Sequence, residues 1–224
     1  MRRPTPFSVD QARANMIAQQ IRTWDVLDEA VLETLEAVPR EAFVPEDLTH
    51  LSFADTQVPL GHGQCMLQPK VEARLLQSLT LAPTDQVLEI GTGSGYMAAL
   101  MGRQAQSVVT VEKRPTLASL AKASLQSAGI SNVTVQEGNG FDASAPWAHR
   151  EVDVIVLSGG LPQKPEALMS LLRPGGRLCG IFGSAPIMRA VVITRLAQGW
   201  SETVLFDTLV PMLEDHPFTP TFRF

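Results

Sequence analysis

The residues best placed to do chemistry lie in Leu88-Glu89-Ile90-Gly91-Thr92-Gly93-Ser94-Gly95-Tyr96, where an apolar run enters a glycine-dense turn. Glycines there let the backbone take positive φ and approach a ligand closely. The helix that follows opens with free N–H groups. Twenty-one residues beyond Gly91 the next apolar run ends in Glu112, and a carboxylate at that place can accept hydrogen bonds from both hydroxyls of a ribose. Lys113, next to it, joins the candidate cofactor contacts. The spacing helps to choose among ligands. A dinucleotide fingerprint is G-x-G-x-x-G, whereas this chain has G-x-G-x-G, with Tyr96 and Met97 where the next glycine would fall. Glu89, two residues before the first glycine, would repel a pyrophosphate but can pair with a cation. Adenosine joined to an amino-acid sulfonium, S-adenosyl-L-methionine, suits this mixture better than NAD. The plainer alternative is a turn that only tightens a strand–helix corner.

Such a turn needs a parallel sheet beneath it, and the pattern supplies one. Short apolar runs at 86–90, 108–111, 133–135, 152–156 and 177–181 alternate with helix-length stretches at 96–104, 115–128 and 164–172. This alternation implies right-handed crossovers and a doubly wound, mainly parallel α/β sheet with helices on both faces. Runs at 191–194 and 203–206, joined by a turn at Gln198-Gly199, add an antiparallel C-terminal edge. The N-terminal part reads as a helical cover. Ser8-Val9-Asp10-Gln11 has the form of a capping box, and Met16, Ile17, Ile21 and Trp24 recur at helical spacing. A second helix starts at Asp28, carries Val31, Leu32, Leu35 and Val38 on one face, and stops before Pro39. Residues 39–69 look irregular around a Gly61-His62-Gly63 turn, and a long stretch of that kind is usually functional. The expected organisation is an N-terminal cover and loop over 1–69 and a cofactor-binding α/β domain over 70–224, in one compact unit.

Composition narrows the class. The 224 residues are 45% hydrophobic and 18% charged, which excludes whole-chain disorder and allows a sizeable core. The net charge of −5 gives no field for a nucleic-acid partner. Arg2 and Arg3 are followed by no apolar h-region, and no run approaches the length of a membrane span, so a cytoplasmic location is expected. Cys65 and Cys179 are too few for a disulfide framework and lack metal-ligand spacing, so no metal site is expected.

Several stretches together resemble the protein-L-isoaspartate O-methyltransferase family, over about residues 12–212. Val38-Pro39-Arg40-Glu41-Ala42-Phe43-Val44-Pro45 is similar to that family's V-P-R-x-x-F-V-P, and Leu60-Gly61-His62-Gly63-Gln64 to its I-G-x-G-Q loop. Residues 88–96 match its L-E-I-G-T-G-S-G-Y, residues 172–178 its L-K-P-G-G-R-L, and Val210-Pro211-Met212 its closing V-P-L/M. The resemblance implies a Rossmann-like methyltransferase domain that uses S-adenosyl-L-methionine. It implies that Gly91, Thr92, Gly93 and Ser94 cradle the cofactor's amino-acid end, and that Glu112 holds the ribose. The family's adenine neighbour is the aspartate of a G-D-G motif, which here reads Gly138-Asn139-Gly140; an Asn carbonyl oxygen can still accept from an adenine amino group. Isoaspartyl-containing proteins are the implied partners, with the chain a monomer or a homodimer.

The substrate loop departs from the family. Gln-Thr-Ile-Ser-x-Pro becomes Gln64-Cys65-Met66-Leu67-Gln68-Pro69, so both hydroxyls are lost at Cys65 and Leu67, and Lys70 adds a cation near the entrance. An acceptor carboxylate is already ionised at neutral pH and needs no base. The enzyme then supplies alignment and removal of water. A phenol, hydroxyl or amine would need a base, for which Asp55, His62 and His216 are the candidates. His62 also reads as a turn-stabilising imidazole, Asp55 as a local cap or ion-pair partner, and His216 as part of a solvated loop. Ser158 and Gly159, after the strand at 152–156, are expected to line the acceptor pocket. Cys65 is expected to fill the threonine site rather than react, and Cys179 to belong to the core. Three of the nine phenylalanines, Phe218, Phe222 and Phe224, fall in the last seven residues and are expected to pack on the domain or a partner subunit. Three functional readings remain open: isoaspartyl methylation, methylation of another acceptor, and a non-catalytic cofactor-binding module.

Overall fold

The computed structural model describes residues 8–218. Helix α1 (Val9–Met16) runs on through a π-helical turn at Ile17–Ile21 and a 3-10 turn at Arg22–Trp24. Ser8 caps it by accepting from the Gln11 amide at 3.4 Å, but Gln11 turns its own side chain to Asn15 at 3.1 Å. The expected capping box is therefore half made, because a partner one turn on lies closer to hand. Asp28 caps α2 (Glu29–Ala37) by taking the amides of Ala30 and Val31. The helix gives way to extended backbone at Val38, ahead of Pro39, as the proline ring requires.

The stretch from 39 to 69 is more ordered than its composition suggests. Two 3-10 turns, Arg40–Phe43 and Glu46–Leu51, lead into a hairpin of β1 (Val58–Gly61) and β2 (Gln64–Met66). Gly61, His62 and Gly63 all take positive φ in its turn. A buried ion pair fastens this stretch to α3 (Pro69–Leu79). Arg40 pairs with Glu72 on the inner face of α3, and both side chains are almost wholly buried. The same guanidinium donates to the Leu67 carbonyl at 2.7 Å and the Ser52 carbonyl at 3.1 Å. It also sits 4.9 Å from the centre of the Tyr96 ring.

Seven strands form the main sheet: β3 (Gln86–Ile90), β4 (Ser107–Glu112), β5 (Val133–Glu137), β6 (Val152–Leu161), β7 (Leu172–Ser184), β8 (Ile187–Arg195) and β9 (Trp200–Thr208). Their order is β5-β4-β3-β6-β7-β8-β9. The first five are parallel, while β8 and β9 join antiparallel, as expected. The chain moves outward from β3 to β5 and then returns to the other side of β3 as β6. That reversal opens a crevice at the carboxyl ends of the central strands. With α4 (Tyr96–Gln104) and α5 (Pro115–Ser127), the N-terminal helices and α3 share one buried cluster that joins Met16, Leu32, Phe43, Leu76 and Leu100 to Val87 and Val154.

A second cluster packs Trp147, Leu168 and Met169 on Leu88, Ile155 and Leu178. Its cover is thin. The helix expected over 164–172 is a single turn, α6 (Glu166–Met169), because Pro165 precedes it and Leu172 already begins β7. Phe218 packs on this cluster, and the rest of the phenylalanine-rich tail, 219–224, lies outside the described residues. Among the described residues no helix is long and apolar enough to cross a membrane.

Removing one member of a buried pair strands the other charge, so Arg40→Ala is expected to lose about 3–5 kcal/mol of stability in urea unfolding. Arg40→Lys is expected to recover only part, since an ammonium lacks the planar fork that reaches several acceptors. An unchanged midpoint for Arg40→Ala would contradict the structural role.

Candidate active site

At the crevice the carboxyl ends of β3, β4 and β6 meet the hairpin loop in a cleft of about 810 Å³. Its floor is the glycine turn. Gly91, Gly93 and Gly95 have φ of 93°, 55° and 87°, values an L side chain rarely adopts. A Cβ on Gly91 would lie 2.7 Å from the Leu213 side chain, and one on Gly140 would lie 2.4 Å from Ile90. The backbone therefore approaches its neighbours as closely as it can. Thr92 and Ser94, between the glycines, are buried and still line the cleft.

Most of the expected site residues are brought together. Gly91, Thr92, Gly93, Ser94, Glu89, Glu112, Asn139 and Gly140 all line the cleft, with Cys65, Met66, Leu67 and Ser158. Glu112 accepts from the Gly93 amide at 2.9 Å and from the Arg114 amide at 3.0 Å, one on each carboxylate oxygen. Each oxygen keeps a lone pair for a further donor. The Asn139 side-chain oxygen accepts from the Phe141 amide at 2.9 Å in a local turn, again with one lone pair left.

The other expected residues stand as follows. Lys113 also lines the cleft, with its ammonium 2.6 Å from Asp215 and 3.6 Å from Glu214. Asp55 is not among the residues lining the cleft; its carboxylate takes Lys70 at 2.6 Å, and Lys70 in turn lies 5.1 Å from the centre of the Trp24 ring. The cation expected at the entrance is therefore neutralised on the outer side of α3. His62 is exposed at the hairpin tip and also outside the lining. His216 stacks on Phe218 with 5.8 Å between ring centres, away from the cleft's lining. Gly159 faces Leu213 and the Pro211 carbonyl behind the wall. Cys65 is half-buried, and desolvation, with Glu72 nearby, pushes its thiol up to about 11. It is therefore a neutral side chain at physiological pH. Cys179 is fully buried beside Ser78, with its thiol pushed up to about 12.

Two cleft residues carry no local sequence signal. Leu213 and Glu214 arrive because Gly160 pairs with Pro211 and Leu213 through backbone hydrogen bonds, and Arg114 clasps Glu214. Glu72 reaches the cleft from α3. It is visible in sequence only as a charge among the apolar positions Val71, Leu75, Leu76 and Leu79.

Glu89 is fully buried, with Ser158 Oγ and Thr110 Oγ1 each donating to its carboxylate at 2.6 Å. Desolvation pushes it from 4.5 up to about 7, against the pull of those two hydroxyls. The folded state thus holds a proton that the unfolded chain releases at lower pH, so the Glu89 contribution is most favourable below about 4.5 and is lost as pH rises through about 7. Glu89→Gln removes this dependence. Between pH 5 and pH 8 the wild type is expected to lose up to about 3 kcal/mol relative to Glu89→Gln in urea unfolding. Parallel pH profiles for the two proteins would contradict the assignment.

Comparison with known proteins agrees with this geometry. A family model described as protein-L-isoaspartate(D-aspartate) O-methyltransferase matches residues 11–200. A protein-L-isoaspartate O-methyltransferase of Koribacter versatilis is 37% identical over 217 residues, which is 96% of each chain. One from Rhodopseudomonas palustris is 41% identical over 187 residues, covering 82% of this chain and 84% of its own. Among solved structures, a Plasmodium falciparum protein described as a protein-L-isoaspartate O-methyltransferase, in complex with S-adenosyl-L-homocysteine, superimposes with a TM-score of 0.80. It is 20% identical and covers 94% of this chain and all of its own, so that likeness speaks for the fold. The turn, the acid at the end of the second strand and a family match across most of the chain together place it in the protein-L-isoaspartate O-methyltransferase family, a family of S-adenosyl-L-methionine-dependent methyltransferases.

Proposed function

We propose that this chain transfers the methyl group of S-adenosyl-L-methionine to the α-carboxylate of L-isoaspartyl residues in damaged proteins. The residues at the cleft fit that cofactor. The glycine turn holds Gly91 and Gly93 at a positive φ that an L side chain rarely adopts, Glu112 has two lone pairs to offer a ribose, and Asn139 has one to offer an adenine amino group. When bound, S-adenosyl-L-methionine supplies a methyl group activated by a sulfonium. The chain itself supplies position and dryness. Gln64, Cys65, Met66 and Leu67 form the wall over the glycine turn, where an acceptor would be laid against the cofactor and stripped of water.

The observation that favours a carboxylate acceptor is where the candidate bases stand. Asp55 is engaged by Lys70, and neither it nor His62 or His216 lines the cleft. Glu72 is held by Arg40, and Glu89 by two hydroxyls. A phenol, alcohol or ammonium would need a free base within hydrogen-bond reach, whereas an ionised carboxylate needs none. The changed loop limits efficiency, not chemistry. A hydrogen bond to a charged group contributes roughly 1.5–3 kcal/mol, and Leu67 cannot make one.

The test is transfer of labelled methyl to an isoaspartyl peptide, with the aspartyl peptide as control. Wild type is expected to label the isoaspartyl peptide selectively. Leu67→Ser is expected to raise kcat/KM by about tenfold, the equivalent of one weak charge-assisted hydrogen bond. No transfer by either protein, with cofactor bound, would overturn the proposed acceptor.

A further inference from the structure

The two faces of the sheet are covered unequally. One carries α3, α4 and α5. The other carries α6 over β7, but toward β3 and β4 the described residues that pack on it come from the short segment 141–147. Beside Trp147 on that thinly covered face lies a second cavity, of about 600 Å³. Gln86, Ser107 and Val152, where β3, β4 and β6 begin, are among its lining residues. It therefore sits toward the amino ends of the strands and shares no lining residue with the cofactor cleft at their carboxyl ends.

Its floor is the sheet. Leu88 and Val109 are register neighbours, as are Val109 and Thr134, and Val152 adds a further apolar group. Gln86, Ser107 and Gln136 bring uncharged polar side chains. The wall is the 3-10 turn Pro146–His149, which carries Trp147 and ends at Arg150. Trp147 is only 7% exposed, and its indole Nε1 is buried with no hydrogen-bond partner. A buried donor left without an acceptor is costly. Arg150 is exposed and lines the same cavity, and among the described residues no carboxylate lies within ion-pair distance of it. No acidic side chain lines the cavity. In a chain of net charge −5, this is a local site of the opposite sign.

The donors present select the anion. The backbone amides of the floor are spent in the sheet ladder, and no glycine lines the cavity. A phosphate is usually met by several backbone N–H groups, and they are missing here. A carboxylate needs less, because one guanidinium can grip both of its oxygens. A pleated floor facing an indole and a proline suits a flat apolar body.

We propose that this cavity binds a small aromatic carboxylate. Its ring lies on Leu88 and Val109 against Trp147. Its carboxylate pairs with Arg150 and, after a small tilt of the indole, accepts from the Trp147 N–H. The site is separate from the methyl-transfer cleft, and the inference does not depend on the acceptor proposed for that cleft.

The experiment titrates 1-naphthoate, and 1-naphthamide as its uncharged counterpart, into the full isotope-labelled chain at neutral pH, read by calorimetry and by the indole N–H resonances. Trp147→Phe identifies the Trp147 resonance by its loss. Wild type is expected to bind 1-naphthoate with about millimolar affinity or tighter, to move that resonance, and to bind the amide about tenfold more weakly. Arg150→Gln changes an exposed residue, so the fold is kept. It is expected to bind 1-naphthoate about tenfold more weakly and the amide unchanged. Saturating S-adenosyl-L-homocysteine is expected to leave the affinity for 1-naphthoate as it was. Displacement by S-adenosyl-L-homocysteine with the Trp147 resonance unmoved would put the probe in the cofactor cleft and overturn the proposal. Equal affinity for acid and amide, no loss in Arg150→Gln, or no binding of 1-naphthoate at about 10 mM would overturn it as well.

Discussion

A guanidinium does not give up its proton inside a protein, so burying Arg40 obliges the fold to bring acceptors to it. Those acceptors come from three successive elements of the chain: the Ser52 carbonyl, the Leu67 carbonyl and the Glu72 carboxylate. The first ends the 3-10 stretch, the second ends the hairpin loop, and the third stands on α3. Burial pushes the Glu72 carboxyl up, and the Arg40 charge pulls it back toward the ionised form. With Tyr96 beneath the guanidinium, the first turn of α4 is tied in as well. One side chain thus sets how the acceptor wall stands over the glycine turn.

The cleft has two halves with different physical demands. The floor is largely backbone, with three glycines at positive φ that an L side chain rarely adopts. Almost any substitution there is strained or clashes, which suits a surface that must meet one fixed cofactor. The wall is made of side chains on a short hairpin, and it can change without disturbing the sheet. Cys65 and Leu67 bring no hydroxyl to the cleft, yet the Leu67 backbone is held by Arg40. The loop's path and the loop's chemistry are separable, because the anchor is the Leu67 carbonyl and not its side chain.

The central strands were legible in the sequence because strands buried on both faces read as nearly continuous apolar runs. The cofactor floor was legible because only glycine tolerates its backbone. Legibility failed where partners lie far apart. Glu72, a charge among the apolar positions of its helix, has no evident partner in the sequence until Arg40, 32 residues earlier, is placed beside it. Lys113 lines the cleft beside Glu112, but its ion pair with Asp215, on the returning C-terminal segment, has no local signal in the sequence. Asp55 reads in the sequence as a candidate base or a local ion-pair partner and Lys70 as an entrance cation; that each is the other's partner shows only in the fold. The hairpin over 58–66 was hidden because its strands are too short to show alternation.

The dependence of the acceptor wall on Arg40 is tested most directly by hydrogen exchange on the full-length protein, residue by residue. In Arg40→Met the amides of residues 65–67 are expected to exchange about tenfold or more faster, while those of β3 and β4 keep their protection. Unchanged exchange in the loop would contradict the account, as would a uniform loss of protection across the whole chain.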